Sequence, residues 1–212
     1  MLPISHFESK KASEQSMRLR KKIYGFGIND APFVTQIQIN GKKFLHPAYD
    51  CWRQLIRRCY SGESLKRKPH YRGVSVCESW TSFNSFHSWW IDNHVDGWQI
   101  DKDILTDEKI YSPWTCIFIP KWLNTFLTDA RLARGQYSIG VTFNKKGGVF
   151  EAYCNRLSSG KQEYLGSFKS EIDAYSAWKE RKLRNANEAM DDMNEIDSRI
   201  YPRVIEIINR MK

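Results

Sequence analysis

The sequence predicts an α+β fold: an N-terminal ββα unit with flanking helices, a three-stranded antiparallel sheet packed on one helix, then a C-terminal helix. Three observations carry this expectation. Between Ile139 and Lys182, three short runs separate into two faces by alternation and lead into a run rich in Ala, Tyr and Trp. Successive side chains on a strand point to opposite faces, so alternation of this kind marks half-buried strands. Upstream, residues 98–105 alternate, Thr115-Cys-Ile-Phe-Ile119 reads as a second strand, and Pro120 sits at a plausible first helical position. In the tail, Ile196, Ile200, Val204, Ile207/Ile208 and Met211 recur at helical spacing.

In chain order, residues 1–23 read as a polar arm ending in the basic run Arg18-Leu-Arg-Lys-Lys22, either solvated or in contact with phosphates. A loop and a hairpin around Asn40-Gly41 follow. Pro47 opens a helix in which Ala48, Trp52, Leu55, Ile56 and Cys59 share one face. Arg53, Arg57 and Arg58 lie off that face and either touch a nucleic-acid backbone or face water. Residues 61–73 form a basic loop and Val74-Ser-Val-Cys77 a short strand. Thr81 or Ser82 caps a helix that buries Phe83, Phe86 and Trp89/Trp90. The strand over 98–105 ends in charge, 106–113 is a loop, and the helix after Pro120 runs to Leu127. A basic linker over 129–138 leads into the sheet. The expected division is 1–23 arm, 24–130 first module, 131–188 sheet module and 189–212 C-terminal helix, which either packs on a domain or mediates dimers.

Length and composition narrow the class. With 212 residues, 8 Trp, 10 Tyr and 11 Phe, the chain can build one large or two small cores. Its formal charge of +9 favours a polyanionic partner. No apolar run approaches the ~18 residues a membrane helix requires, and the start lacks the apolar stretch of a secretory signal. Five cysteines without a Cys-x-x-Cys suggest free thiols in a reducing compartment. Structural zinc on Cys51, Cys59, Cys77 and Cys116 is not expected from that spacing.

In the sheet module, one face collects Val141, Phe143, Phe150, Ala152, Cys154 and Leu165, as a covering helix requires. The other collects Thr142, Asn144, Tyr153, Asn155, Gln162 and Tyr164, with Lys145, Lys146, Arg156 and Lys161 at its turns. Amides, hydroxyls and tyrosines hydrogen-bond base edges, and flanking cations suit phosphates. The plainer alternative is a polar, solvated outer face.

Gly140-Val141, Phe150-x-Ala152, Tyr164-Leu165-Gly166-x-Phe168 and Glu171-x-x-Ala174-x-x-Ala177-Trp178 resemble the Apetala-two (ethylene-response-factor) DNA-binding domain. The resemblance implies a sheet laid in the DNA major groove, with contacts at Thr142, Asn144, Tyr153, Asn155, Gln162 and Tyr164. Plant members carry Arg and Trp at several of these positions.

The strand–loop–strand–helix unit places Asp101, Lys102 and Asp103 in line and Asn124 on the helix. A carboxylate and an amide oxygen are hard ligands suited to Mg²⁺, and a divalent cation beside a scissile phosphate offsets charge. On an unbroken strand Asp101 and Asp103 point together and Lys102 points away. The structural alternative is a surface ion-pair cluster. His87 and His94 lie upstream and are more commonly structural.

Ile100-Asp-Lys-Asp-Ile-Leu105, Tyr111-Ser-Pro113, Cys116-Ile-Phe-Ile-Pro120 and Leu123-Asn124 resemble the divergent HNH (ββα-metal) endonucleases of bacteriophages. Tyr49-x-x-Trp52, Arg58-Cys-Tyr60, Gly73-Val-x-Val-Cys77 and Trp80-x-x-Phe83 belong to the same pattern. The resemblance implies a homing-type, metal-dependent DNA endonuclease in which Asp101, Lys102, Asp103 and Asn124 form the catalytic site. Asp101 and Asn124 would hold Mg²⁺ or Mn²⁺. Lys102 occupies the position of the family's general-base His, where it would serve as base or hold a phosphate. The implied partner is double-stranded DNA, with no membrane, in the cytoplasm of a bacterial host, as monomer or homodimer. The alternative is a catalytically inactive DNA-binding regulator.

Overall fold

The computed structural model describes residues 3–129, 135–157 and 159–212. The chain is α+β and divides into two compact units, one of Met1–Asp96 with Asp107–Phe118, the other of Gly97–Thr106 with Ile119–Lys212. The segments expected to make one nuclease module over 24–130 are therefore shared between the units. Part of the linker expected over 129–138 lies outside the described residues.

In the first unit, α1 (Ser5–Glu8) buries Phe7 at 1% exposure, and α2 (Glu14–Arg18) is capped by the Ser13 hydroxyl. Arg20 donates to the carbonyls of Asn29, Ala31 and Phe33 at 2.7–3.1 Å. The N-terminal segment, expected as a free arm, is thus anchored by an apolar plug and by a guanidinium that satisfies loop carbonyls. Strands β1 (Gln36–Ile39) and β2 (Lys42–Leu45) form the anticipated hairpin. Asn40 and Gly41 both take positive φ at its turn, the backbone hand that matches strand twist.

Helix α3 (Pro47–Tyr60) and α5 (Phe83–Asn93) supply the core, with Trp52, Leu55, Ile56, Phe83 and Phe86 at 0% exposure. The Trp52 indole N–H donates to the Trp80 carbonyl at 2.7 Å, satisfying the one polar atom of a buried ring. The basic stretch expected as a loop contains α4 (Gly62–Arg67), capped by Ser61. β3 (Ser75–Val76) pairs in parallel with β5 (Ile110–Tyr111), a strand inside the segment expected as loop 106–113.

β4 (Gln99–Asp101) lies in the second unit, and β6 (Ile117–Ile119) crosses the boundary, with Ile119 in the second unit. α6 (Lys121–Phe126) follows. Both strands are shorter than the alternation suggested. β7 (Val141–Asn144), β8 (Val149–Asn155) and β9 (Gln162–Phe168) form the expected antiparallel sheet in the order β7-β8-β9. α7 (Glu171–Glu188), capped by Ser170, covers its apolar face, where Val141, Ala152 and Ala174 pack together beside Trp178, Cys154 and Met211.

The tail is two helices, not one. α8 (Met190–Ile196) and α9 (Ile200–Arg210) are separated where Asp197 bends its carboxylate onto the Arg199 N–H at 2.9 Å, a local bond that competes with helix continuation. Ile200, Val204 and Ile208 are fully buried, so the apolar stripe is used within the chain. Among the described residues, no helix is long and apolar enough to cross a membrane.

Candidate functional site

The strand β4 stops at Asp101 because that side chain turns back on the chain. Asp101 Oδ1 accepts from the N–H groups of Asp103 and Ile104, both at 2.8 Å, and Ile104 beyond it is 1% exposed. Burial raises the Asp101 pKa, and the two N–H donors act against it by favouring the charged form. The strand expected over 98–105 is thereby cut short, and the alternation expected for Asp101, Lys102 and Asp103 does not apply. Lys102 is buried and its Nζ is ion-paired with Asp103 Oδ1, while the rest of Asp103 is exposed.

Asn124, on α6, donates its Nδ2 to Gln99 Oε1 at 2.7 Å. Gln99 and Asp101 are two apart on β4 and point to the same side, a separation of roughly 6.6 Å along a strand. Asn124 therefore approaches the side of β4 that carries Asp101, with Gln99 as its direct partner. Gln99 was not singled out in the sequence. A bond between an amide and an amide carries no residue signature that spacing would reveal.

His87 and His94 are both occupied elsewhere. His94 stacks on Trp90 at 3.9 Å, and burial lowers its pKa. His87 lies beside His46 and Glu8 in the first unit.

The outer face of the three-stranded sheet carries the polar residues that alternation assigned to it, and two more. Thr142 is opposite Glu151, Tyr153 opposite Tyr164, and Asn155 opposite Gln162. A bulge at Leu165 shifts the register, so Ser167 returns to the outer face, where it shares a 2.7 Å hydrogen bond with Tyr164. Glu151 sits mid-face and accepts from Asn144 Nδ2 at 2.8 Å and Tyr153 Oη at 2.9 Å, which hold its pKa below the usual range. Asn144 also accepts from the N–H groups of Lys146 and Gly147, so its amide builds the β7–β8 turn. Lys145, Lys146 and Lys161 are exposed. Arg156 lies 3.5 Å from Glu163, which also binds Arg181 at 3.0 Å.

On α3, Arg53 pairs with Asp50 at 3.2 Å and Arg57 is half-buried. Arg58, expected off the buried face, lies 6.0 Å from the Tyr71 ring and hydrogen-bonds Tyr111.

No protein-family model, curated protein or solved structure matches this chain.

The cysteines at 51, 59, 77 and 116 are all free thiols. Among the described residues, the group of three that brings metal-capable atoms together is Glu8, His46 and His87, all within 4.8 Å of one another. These residues stand 38 and 41 positions apart in sequence, and no spacing rule connects them.

Proposed function

We propose that the chain is a divalent-metal-dependent DNA endonuclease acting inside a bacterial host, with the three-stranded sheet as its duplex-binding surface. The observation that carries this reading is the hydrogen bond from Asn124 on α6 to Gln99, two residues before Asp101 on β4. Asp101 uses Oδ1 for two backbone bonds and keeps Oδ2 outside them; Asn124 uses Nδ2 and keeps Oδ1. These two oxygens are the hard donors that would hold Mg²⁺ or Mn²⁺. Such an ion supplies charge neutralisation at the scissile phosphate and a more acidic water.

The chain's own residues then have distinct tasks. Asp103 offers an exposed carboxylate beside Asp101 and takes the proton from the attacking water. Lys102, buried and ion-paired, positions Asp103 rather than acting as a base. On the sheet, Thr142, Tyr153, Asn155, Gln162 and Tyr164 present base-edge donors and acceptors. Lys145, Lys146 and Lys161 supply phosphate contacts.

A second reading, DNA binding without cleavage, is favoured by that same burial of Lys102 where the resembled endonucleases place a histidine. Supercoiled plasmid incubated with the protein and Mg²⁺ separates the two. Nicking lost in EDTA, in Asp101→Asn and in Asn124→Ala, with plasmid binding kept, supports the endonuclease. Intact plasmid with a clear mobility shift supports the binding protein. Asp101→Asn is the informative variant because an amide oxygen still caps the turn while the charge is gone.

A further inference from the structure

We infer that Glu8, His46 and His87 form a binding site for a Zn²⁺-class cation that ties the N-terminal segment to α3 and α5. The three come from separate elements: Glu8 ends α1, His46 precedes α3, and His87 lies mid-way along α5. His46 is 0% and His87 7% exposed, and the Nε2 atoms of both are buried without a hydrogen-bond partner. Buried polar atoms are nearly always satisfied, so two orphans side by side call for an explanation.

Glu8 Oε1 lies 3.5 Å from His46 Nε2 and 2.9 Å from His87 Nε2, so one carboxylate oxygen faces both rings. The three ligand-capable atoms thus face a common point. Bonds of about 2.0–2.1 Å in a tetrahedron place ligand atoms roughly 3.3 Å apart, bracketed by the two observed separations.

The donor set decides the class of ion. Two imidazoles and one carboxylate suit Zn²⁺ and its neighbours, whereas Mg²⁺ and Ca²⁺ take oxygen ligands. Phe7, Phe33 and Phe83 pack against the His46 ring and give the site an apolar wall. Glu8 is the most exposed of the three, so the cluster meets solvent on its side.

One local bond must give way. His46 Nδ1 accepts from the Ala48 N–H at 3.2 Å, capping α3, which places the proton of the neutral ring on Nε2. Ligation through Nε2 moves that proton to Nδ1 and opens the cap. Zinc binding is accordingly expected to shift the Ala48 amide resonance without releasing a proton from the His46 ring.

The test uses the full chain stripped with EDTA, then titrated with Zn²⁺ against a chromophoric chelator, with Co²⁺ as spectroscopic probe. Expected are one Zn²⁺ per chain, a raised Tm, and tetrahedral Co²⁺ bands without a thiolate charge-transfer band. Losing an outer-shell partner costs a metal site 10–100-fold, so His87→Gln or Glu8→Gln, each losing a ligand, weakens Zn²⁺ by about 100-fold. Asp101→Asn leaves Zn²⁺ binding unchanged, which separates this site from the proposed nuclease centre. Near-UV circular dichroism confirms that the variants fold; should they not, the wild-type stoichiometry and Co²⁺ spectrum decide alone. No stoichiometric Zn²⁺, a thiolate band, or folded variants with undiminished affinity would overturn the assignment.

Discussion

Gly140→Ala should be the most damaging single-methyl substitution in the sheet module. Gly140 has φ +76°, and its carbonyl accepts from the Tyr153 N–H at 2.8 Å, fixing the chain as it enters β7. An added Cβ would lie 2.0 Å from Trp178 Cδ1, 2.5 Å from Cγ and 2.7 Å from Nε1. Ordinary carbon contacts are about 3.5–4.0 Å, so the indole would have to retreat by roughly 1.5 Å. It has nowhere easy to go: Trp178 is 4% exposed and packed with Cys154, Met211 and the stacked ring of Tyr175. Overpacking costs about 1–3 kcal/mol and a left-handed non-glycine residue about 1–2 kcal/mol, for a combined loss of roughly 2–5 kcal/mol.

Gly148→Ala separates the two contributions. Gly148 has φ +63° with no heavy atom within 4 Å of the new Cβ, so only the backbone cost of about 1–2 kcal/mol applies. Because the chain has two units, local stability should be read from hydrogen exchange of β7–β9 amides under increasing urea. If Gly140→Ala proves no worse than Gly148→Ala, the close approach of Trp178 is not what requires glycine there.

Three further outcomes are expected. Asp101→Ala should destabilise the second unit by about 1–2 kcal/mol because the part-buried Ile104 N–H and the exposed Asp103 N–H lose their acceptor, whereas Asp101→Asn should cost under about 1 kcal/mol; urea midpoints compare them. In EDTA, His46 has a folded pKa of about 4 against an ordinary 6.5, so its contribution to stability is complete above pH 6.5 and is lost as pH falls from 6.5 toward 4. A urea midpoint that stays flat from pH 7 to pH 5 would refute it. Lys145→Gln should weaken duplex binding alike on all sequences and reduce the salt slope by about 1, measured by fluorescence anisotropy across salt concentrations.

Much of the sheet module was legible because its causes are local. Alternation at Val141–Phe143 and Phe150–Cys154 sorts side chains by face whatever surrounds them, and Ser170 caps α7 by reaching only three residues ahead. The bulge at Leu165 was not legible, because register is a property of two strands together, and with it went the outward position of Ser167. Around Asp101 the failure was of another kind. The alternation over 98–105 is real, but a carboxylate bonding its own backbone ended the strand after Asp101. The tail behaved similarly at Asp197, where one side chain broke a stripe that periodicity alone would have continued.

The sequence by itself determined the α+β class, the polar and apolar faces of the sheet, helix starts at Pro47, at Thr81 or Ser82 and at Lys169 or Ser170, and a net positive charge. Each of these follows from residues within a few positions of one another. Only the tertiary structure decided that Phe7 and Arg20 anchor the N-terminal segment, that Asn124 meets Gln99, and that Lys102 is buried. It alone brought Glu8, at the surface, together with the buried His46 and His87. Those are long-range facts, set when separate elements bury a common core, and no local pattern encodes which polar side chains will be enclosed together.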